Sequence, residues 1–182
     1  NGDLTCFDTA TIDGILNWSN GLIDGGGPIV LNGEANLQDD FEKILSGPLF
    51  ELNGIANWTD GNVTLDGGAV IDIGTQGILF VTADGKRMFA DSEEISRSFA
   101  GLVNNEGAIN SDVPNNVMLN LPIDHQGIIN VHGGDLQIFE IINQGSGLMT
   151  VAAGASLSFD VGFHQLGDPR SIQGDGSVRF LG

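Results

Sequence analysis

The residue types that most often carry out chemistry are few in this sequence. Its three histidines are His125, His132 and His164, and no two of them stand at the spacing of a metal site or a catalytic pair. The sequence has no His-x-x-x-His, Cys-x-x-Cys or Gly-x-Ser-x-Gly motif and no phosphate-binding glycine loop. We expect His132, which follows residues 129–131, to face solvent at a corner; a role as ligand or base is the alternative. The histidines therefore do not predict an enzyme.

Paired carboxylates are the second candidate for chemistry, because glycoside hydrolases place two of them around a sugar bond. Asp24 and Asp66 each precede a glycine pair and would converge if their strands lay on neighbouring rungs. A polysaccharide lyase would also need a base beside carboxylate-bound Ca²⁺, and the basic residues are mostly confined to one segment. We predict no enzyme activity; the alternative is a carbohydrate-active β-helix enzyme, either a polysaccharide lyase or a glycoside hydrolase.

Three of the six basic residues, Lys86, Arg87 and Arg97, lie in one irregular segment. We interpret residues 83–101 as a loop insertion, and insertions into repeat proteins often carry binding sites. The segment is therefore a candidate binding loop; the alternative is a loop that only packs over the edge of the fold. A second irregular stretch, residues 112–126, contains two prolines and is predicted to be a long corner.

The net charge of the chain is −18, from 24 acidic and 6 basic residues. A nucleic-acid-binding protein needs a basic surface, so this charge excludes nucleic acid as a partner. No apolar stretch is long enough to span a bilayer, and we expect no membrane insertion. The acidic residues are scattered, which is typical of a solvated, self-repelling surface. No cofactor is indicated; carboxylates would suit Ca²⁺, but only at an irregular site, because no EF-hand spacing is present.

Three asparagines stand in N-glycosylation sequons: Asn17, Asn57 and Asn62. Each occupies a position that is predicted to face outward, so it would be accessible to glycosylation in a eukaryotic secretory pathway. The alternative is structural, since stacked asparagines stabilise neighbouring parallel strands. Both interpretations stay open from the sequence.

A repeated pattern determines the elements that position these residues. The pattern is Gly-x-φ-x-φ, where φ is apolar, and its copies beginning at residues 127 and 147 are offset by 20 residues (147 − 127). Alternation with a period of two is typical of strands, with φ inside and x outside. Glycine suits a corner that needs a positive φ or a close approach of adjacent coils.

A repeat of this length without helical periodicity predicts an all-β fold. We expect one right-handed parallel β-helix (β-solenoid) over residues 1–182, with coils of about 20–22 residues. The residues predicted to face inward are Leu16, Trp18, Ala56, Trp58, Val63, Leu65, Ile129, Val131, Met149, Val151, Val178 and Phe180.

The repeats at residues 17–23, 127–131 and 147–159 resemble those of very large secreted surface proteins, namely autotransporter passengers and filamentous-haemagglutinin-type adhesins. The resemblance implies an exported, extracellular β-helix that serves at the cell surface as a stalk, an adhesin or a filament component, with surface glycans among its candidate partners. It transfers no catalytic residue, because these repeats have none in that family. A trimeric receptor-binding fibre of viral type is a further alternative.

The last residues, 177–182, form an alternating pattern with no capping helix or polar repeat after it. We expect the carboxy-terminal coil to stack on the next domain of a longer protein or on the first coil of a neighbouring copy. Such end-to-end contacts between copies are open, and they would produce filaments.

Overall fold

The computed structural model describes residues 3–90, 101–143, 147–160, 162–167 and 171–181. In these ranges the chain forms 21 strands and no helix. The strands wind into a parallel β-solenoid of about eight turns, which confirms the predicted fold class; the hand of the winding stays a prediction. In chain order the strands are β1 (Leu4–Thr5), β2 (Ala10–Ile12), β3 (Ile15–Trp18), β4 (Gly21–Asp24), β5 (Ile29–Leu31), β6 (Glu34–Leu37), β7 (Lys43–Ser46), β8 (Leu49–Leu52), β9 (Ile55–Trp58), β10 (Val63–Asp66), β11 (Ala69–Ile73), β12 (Ile78–Val81), β13 (Arg87–Ala90), β14 (Gly101–Asn105), β15 (Ala108–His125), β16 (Ile128–Asn143), β17 (Leu148–Val151), β18 (Ser156–Phe159), β19 (His164–Leu166), β20 (Ile172–Gly174) and β21 (Ser177–Phe180).

The solenoid has three faces, each a sheet whose strands come from successive coils. Face A contains β1, β4, β7, β10, β13, β18 and β21; face B contains β2, β5, β8, β11, β14 and β19; face C contains β3, β6, β9, β12, β17 and β20. The long strands β15 and β16 run through nearly a whole coil and contribute to all three faces. All of these pairings are parallel, so the same position recurs in a column along the rod.

The register reproduces the repeat seen in the sequence. Ile128 pairs with Leu148, 20 residues further on (148 − 128). Along face C, paired residues are separated by 19 to 23 positions. The exception is the pair Ile78 and Ala108, which are 30 residues apart (108 − 78). The longer coil contains residues 91–100, which lie outside the described residues.

The loop insertion begins later than predicted. Residues 87–90 form β13, because Met88 is apolar and packs inward in register between Val63 and Leu119. The predicted boundaries of 83–101 are therefore corrected at the amino-terminal side, where the coil continues through Ala90.

The stretch 112–126 is mostly strand rather than a long corner. It belongs to β15, whose pairing with β16 shifts register around Asp112 and again between Leu119 and Pro122. These shifts accommodate prolines, which cannot donate to a parallel ladder. Val117 and Ile123 are buried on either side of the second shift.

The core lies between the three faces. Of the residues predicted to point inward, nine are buried and Leu16 is half-buried. Val178 and Phe180 differ: they continue the columns of buried Leu157 and Phe159, but they are exposed. Their inward direction is correct, and their exposure follows from their position in the last described coil, where no further coil covers them.

Glycine determines the corner between face B and face C. A Cβ on Gly33 would overlap the carbonyl oxygen of Gly14, and a Cβ on Gly127 would overlap that of Gly107. None of these four glycines has a positive φ. The close approach of successive coils, rather than a left-handed backbone, therefore explains the glycine of the repeat.

Candidate functional site

Face C carries a ladder of side-chain amides on its outward side. Asn36 Nδ2 donates to Asn17 Oδ1 at 3.2 Å, and Asn57 Nδ2 donates to Asn36 Oδ1 at 3.0 Å. Further along the face, Asn130 Nδ2 donates to Asn110 Oδ1 at 2.8 Å. Asn17 and Asn57 thus point outward, and their side chains also fulfil the structural role of stacked asparagines.

The three sequon asparagines differ in how far their side chains are already engaged. Asn17 is exposed, whereas Asn57 also donates to Glu34 Oε1 at 2.9 Å. Asn62 is half-buried at the corner before β10, and its Oδ1 accepts the backbone N–H of Arg87 at 3.1 Å. Glycosylation of the three residues stays a prediction, with Asn17 the most accessible acceptor.

A second outward column of face C is almost entirely apolar. We call it the isoleucine stripe, and in register order it consists of Ile15, Glu34, Ile55, Ile78, Ala108, Ile128 and Leu148. Ile15 is 65% exposed and Ile128 is 42% exposed. In the neighbouring column Phe80, 38% exposed, replaces an asparagine of the amide ladder. The sequence signal for this stripe is an apolar residue directly after the corner glycine.

Lys86 is engaged in a charge cluster at the corner between face C and face A. Its ammonium forms ion pairs with Asp40 and Asp60, the latter at 3.1 Å. The hydrogen bonds that Lys86 donates to Asp40 and Asp60 raise the pKa of Lys86. The hydrogen bond from the Gly61 backbone N–H is the main cause that lowers the pKa of Asp60, and the hydrogen bond from Lys86 is the second. The positive charge of Lys86 is thus balanced by carboxylates of the same chain.

The structure describes two of the three predicted basic residues, Lys86 and Arg87, and their side chains have different partners. Arg87 begins β13, and its guanidinium lies 5.8 Å from the centre of the Phe89 ring on the outward side of face A. Arg97 lies outside the described residues. A binding role for Lys86, Arg87 and Arg97 therefore stays a prediction.

Lys43, which the sequence pattern did not single out, is fully buried in an inward column of face A. Its Nζ donates to three backbone carbonyls, those of Asp39 at 2.9 Å, Phe41 at 3.0 Å and Asp60 at 3.1 Å. Burial lowers the pKa of Lys43, and the nearby carboxylates, Asp60 foremost, oppose that shift. The carbonyls satisfy all three ammonium protons, so Lys43 has a structural role at this corner.

His125 is the second buried polar residue that the pattern missed. Asn105 Nδ2 lies 3.1 Å from His125 Nδ1 and donates to the Ile128 carbonyl at 3.1 Å. Because Asn105 is the donor, Nδ1 accepts and the proton of the neutral ring is on Nε2. Nε2 makes no hydrogen bond of good geometry to the described residues. Burial lowers the pKa of His125 to about 4, although the Leu148 backbone and Asp124 oppose the shift.

The other two histidines lie elsewhere. His132 is exposed, as predicted. His164 Nε2 lies 2.7 Å from the Asp160 carbonyl, and its ring is edge-on to Phe159 at 5.0 Å. The histidines therefore do not converge.

Asp24 and Asp66 share an outward column of face A, but they are not adjacent. Ser46 lies between them in register, and its hydroxyl donates to Asp66 Oδ2 at 3.4 Å. Two rungs correspond to about 10 Å along the rod, wider than the separation in a retaining glycosidase. The column alone does not form a close carboxylate pair.

The two ends of the solenoid differ in shape. At the carboxy-terminal end Phe180 is 68% exposed and stacks on Phe159, with 5.1 Å between ring centres. At the amino-terminal end a cavity of about 320 Å³ opens, and Trp18 Nε1 is buried there without a hydrogen bond to the described residues. The cavity is lined by Asp3, Leu4, Leu16, Asn17, Trp18, Ser19, Asn20 and Ile23.

Within the described ranges no group of three or more histidine, cysteine, aspartate and glutamate residues is arranged to hold a metal ion. No described helix is long and apolar enough to cross a membrane. Comparison of the chain with protein-family models, curated proteins and solved structures finds no match. The resemblance to adhesin repeats therefore rests on the sequence pattern and on the shared type of fold.

Proposed function

We propose that the chain is an extracellular structural or adhesive module, a segment of a fibre or stalk whose coils continue end to end into further coils. The observation that carries the proposal is the exposed, inward-directed Phe180 at one end of the solenoid. The repeat resemblance and the strongly acidic surface support an exported location.

The carboxy-terminal end presents apolar side chains in the positions of a core. Phe159, one coil earlier in the column, is 1% exposed, whereas Phe180 is 68% exposed. Val178 is likewise exposed, although Leu157 beneath it is fully buried. Covering such residues with another coil removes apolar surface from water, which is the main driving force for association.

The amino-terminal end opens a cavity beside the same column. The column of Phe180 leads back through Phe159, Ile138, Leu119, Met88, Val63 and Lys43 to Gly21, the first described residue of the column. Asn20 and Ile23, on either side of Gly21 in the sequence, line the cavity. A second copy stacked end to end on β1 would bring its Phe180 to this end of the column.

Electron microscopy and sedimentation velocity at increasing protein concentration test the proposal. We expect elongated particles that grow with concentration, and we expect Phe180→Asn to abolish the growth. Phe41→Asn is the matched control, because Phe41 is 63% exposed at a corner rather than at an end. Dispersed single rods at every concentration would contradict end-to-end stacking of copies.

The carbohydrate-active alternative is tested separately. The protein is incubated with a panel of acidic and neutral polysaccharides, and unsaturated products and new reducing ends are measured. Turnover that is lost in Asp66→Asn would establish the enzyme and overturn the structural proposal.

A further inference from the structure

We propose that face C is a side-to-side association surface, on which two copies of the chain pack isoleucine stripe against isoleucine stripe. This contact is independent of end-to-end stacking, because it uses the flank of the rod rather than its ends. The juxtaposition that carries it is an apolar column beside an uncharged amide ladder on one parallel sheet.

The centre of face C is its most apolar part. In β12 both outward positions are apolar, Ile78 in the stripe and Phe80 in the amide-ladder column. Ile55 precedes Ile78 in the stripe and is also exposed. An exposed aromatic side chain beside a column of aliphatic ones, near the middle of a surface, is typical of the energetic centre of a protein interface.

Charge favours a second copy on face C over face B. The registered outward positions of the isoleucine stripe and the amide ladder contain one ionisable residue, Glu34, which is hydrogen-bonded to Asn57. On face B the outward column instead contains Glu51, Asp72 and Asp124. Two copies of a chain with net charge −18 repel each other, and the repulsion is least where both present an uncharged surface.

The dimensions of face C indicate a weak, closed dimer. Its eight strands, about 4.8 Å apart with four residues of about 3.3 Å each, cover about 38 Å by 13 Å. Two such surfaces bury roughly 1,000 Å², the lower limit for a specific interface. A two-fold arrangement with overlapping stripes places Ile78 and Phe80 of both copies at the centre, with the sheets about 10 Å apart.

Substitution of Phe80 gives a sharp test, because asparagine there would extend the amide ladder between Asn57 and Asn110. We therefore expect Phe80→Asn to fold with an unchanged thermal midpoint and to weaken dimerisation about 10-fold or more. Phe41→Asn removes an exposed phenylalanine from a corner and is expected to leave dimerisation unchanged. Sedimentation equilibrium measures the dimer dissociation constant, and added salt is expected to tighten the dimer by screening the repulsion.

Further outcomes decide the proposal. If Phe80→Asn destabilises the fold, Ile128→Asp on face C is compared with Val30→Asp on face B, and only the former should abolish the dimer. Phe180→Asn should remove end-to-end growth but leave the closed dimer, so the two proposals can fail separately. Monomers at every concentration, or equal effects of the face C and control variants, overturn the inference. If the monomer then binds a polysaccharide through Phe80, the face serves a glycan instead.

Discussion

Lys43 and His125 are both fully buried in inward columns, and the core accommodates them in opposite ways. Lys43 is next to Val63 in its column, and its ammonium reaches three backbone carbonyls. His125 is next to Asn105, and among the described residues only one of its ring nitrogens has a hydrogen-bond partner of good geometry.

The difference arises from the length of the side chain. The aliphatic stem of Lys43 occupies the column as an apolar residue would, and its charged end reaches the corner, where backbone groups need partners. The imidazole of His125 is shorter and has no such group of three carbonyls among the described residues, so burial lowers its pKa and keeps it neutral. The buried charge of Lys43 is thus tolerated because its ammonium reaches backbone acceptors.

The largest expected effect is the pH dependence of stability from His125. Its pKa is about 4 when folded and about 6.5 when unfolded, so between these values only the unfolded chain binds the proton. Stability is therefore complete above pH 6.5 and falls by about 3 kcal/mol as the pH drops to 4. Urea unfolding from pH 7.5 to pH 4 measures the loss, and His125→Leu should lack this component. Identical pH slopes for both proteins would contradict the prediction.

Lys43→Met tests the lysine in this comparison. Methionine keeps the apolar stem but leaves the carbonyls of Asp39, Phe41 and Asp60 without their donor. We expect a loss of about 2 kcal/mol in the free energy of unfolding, measured by urea denaturation at pH 7. A neutral effect would show that water replaces the ammonium at this corner.

Replacing both Asn105 and His125 removes the two buried polar side chains from their column. In the double variant Asn105→Leu, His125→Leu both buried polar side chains are replaced by apolar ones, and the only donor removed is the one from Asn105 to the Ile128 carbonyl among the contacts described above. We expect a gain of about 1 kcal/mol at pH 7, by the same urea measurement. The single variant His125→Leu is the control, and a double variant less stable than wild type would mean that packing dominates.

The smallest effect is expected for Lys86→Met, which tests a lysine at the surface of the same corner. Lys86 pairs with Asp40 and Asp60 in contact with solvent, where ion pairs contribute little. The urea midpoint should shift less than in Lys43→Met, and the shift should shrink at high salt. A larger shift than that of Lys43→Met would mean that the ion pairs at the surface stabilise this corner more than buried Lys43 does.

The sequence was sufficient to predict the fold because its pattern has a direct physical cause. Glycine marks the corner where coils touch, and alternation places Trp58 and Ile129 inside. His125 could also have been located, because it stands two residues before a corner glycine, as Leu31 and Leu52 do. Aligning the residues that stand two positions before each corner glycine therefore places His125 in an inward column.

Other features depend on contacts that the pattern does not encode. Lys43 has no preceding corner glycine, and its burial depends on carbonyls brought together from two coils. Pro122 predicts a corner, whereas a register shift in the strand accommodates it. The Gly-x-φ-x-φ pattern leaves the residue type at x open, so the isoleucine stripe emerges only when the x residues after successive corner glycines are compared.

The glycine corner between faces B and C has a consequence for how such a chain can change over evolution. Most turns there contain two residues, whereas four join β11 to β12, and Gly77 still lies against the Leu52 carbonyl. The longest insertion stands between β13 and β14, and it makes the coil between Ile78 and Ala108 seven to ten residues longer than its neighbours. Residues can therefore be added at more than one edge while a glycine contact keeps the coils aligned, which lets the surface diversify on an unchanged scaffold.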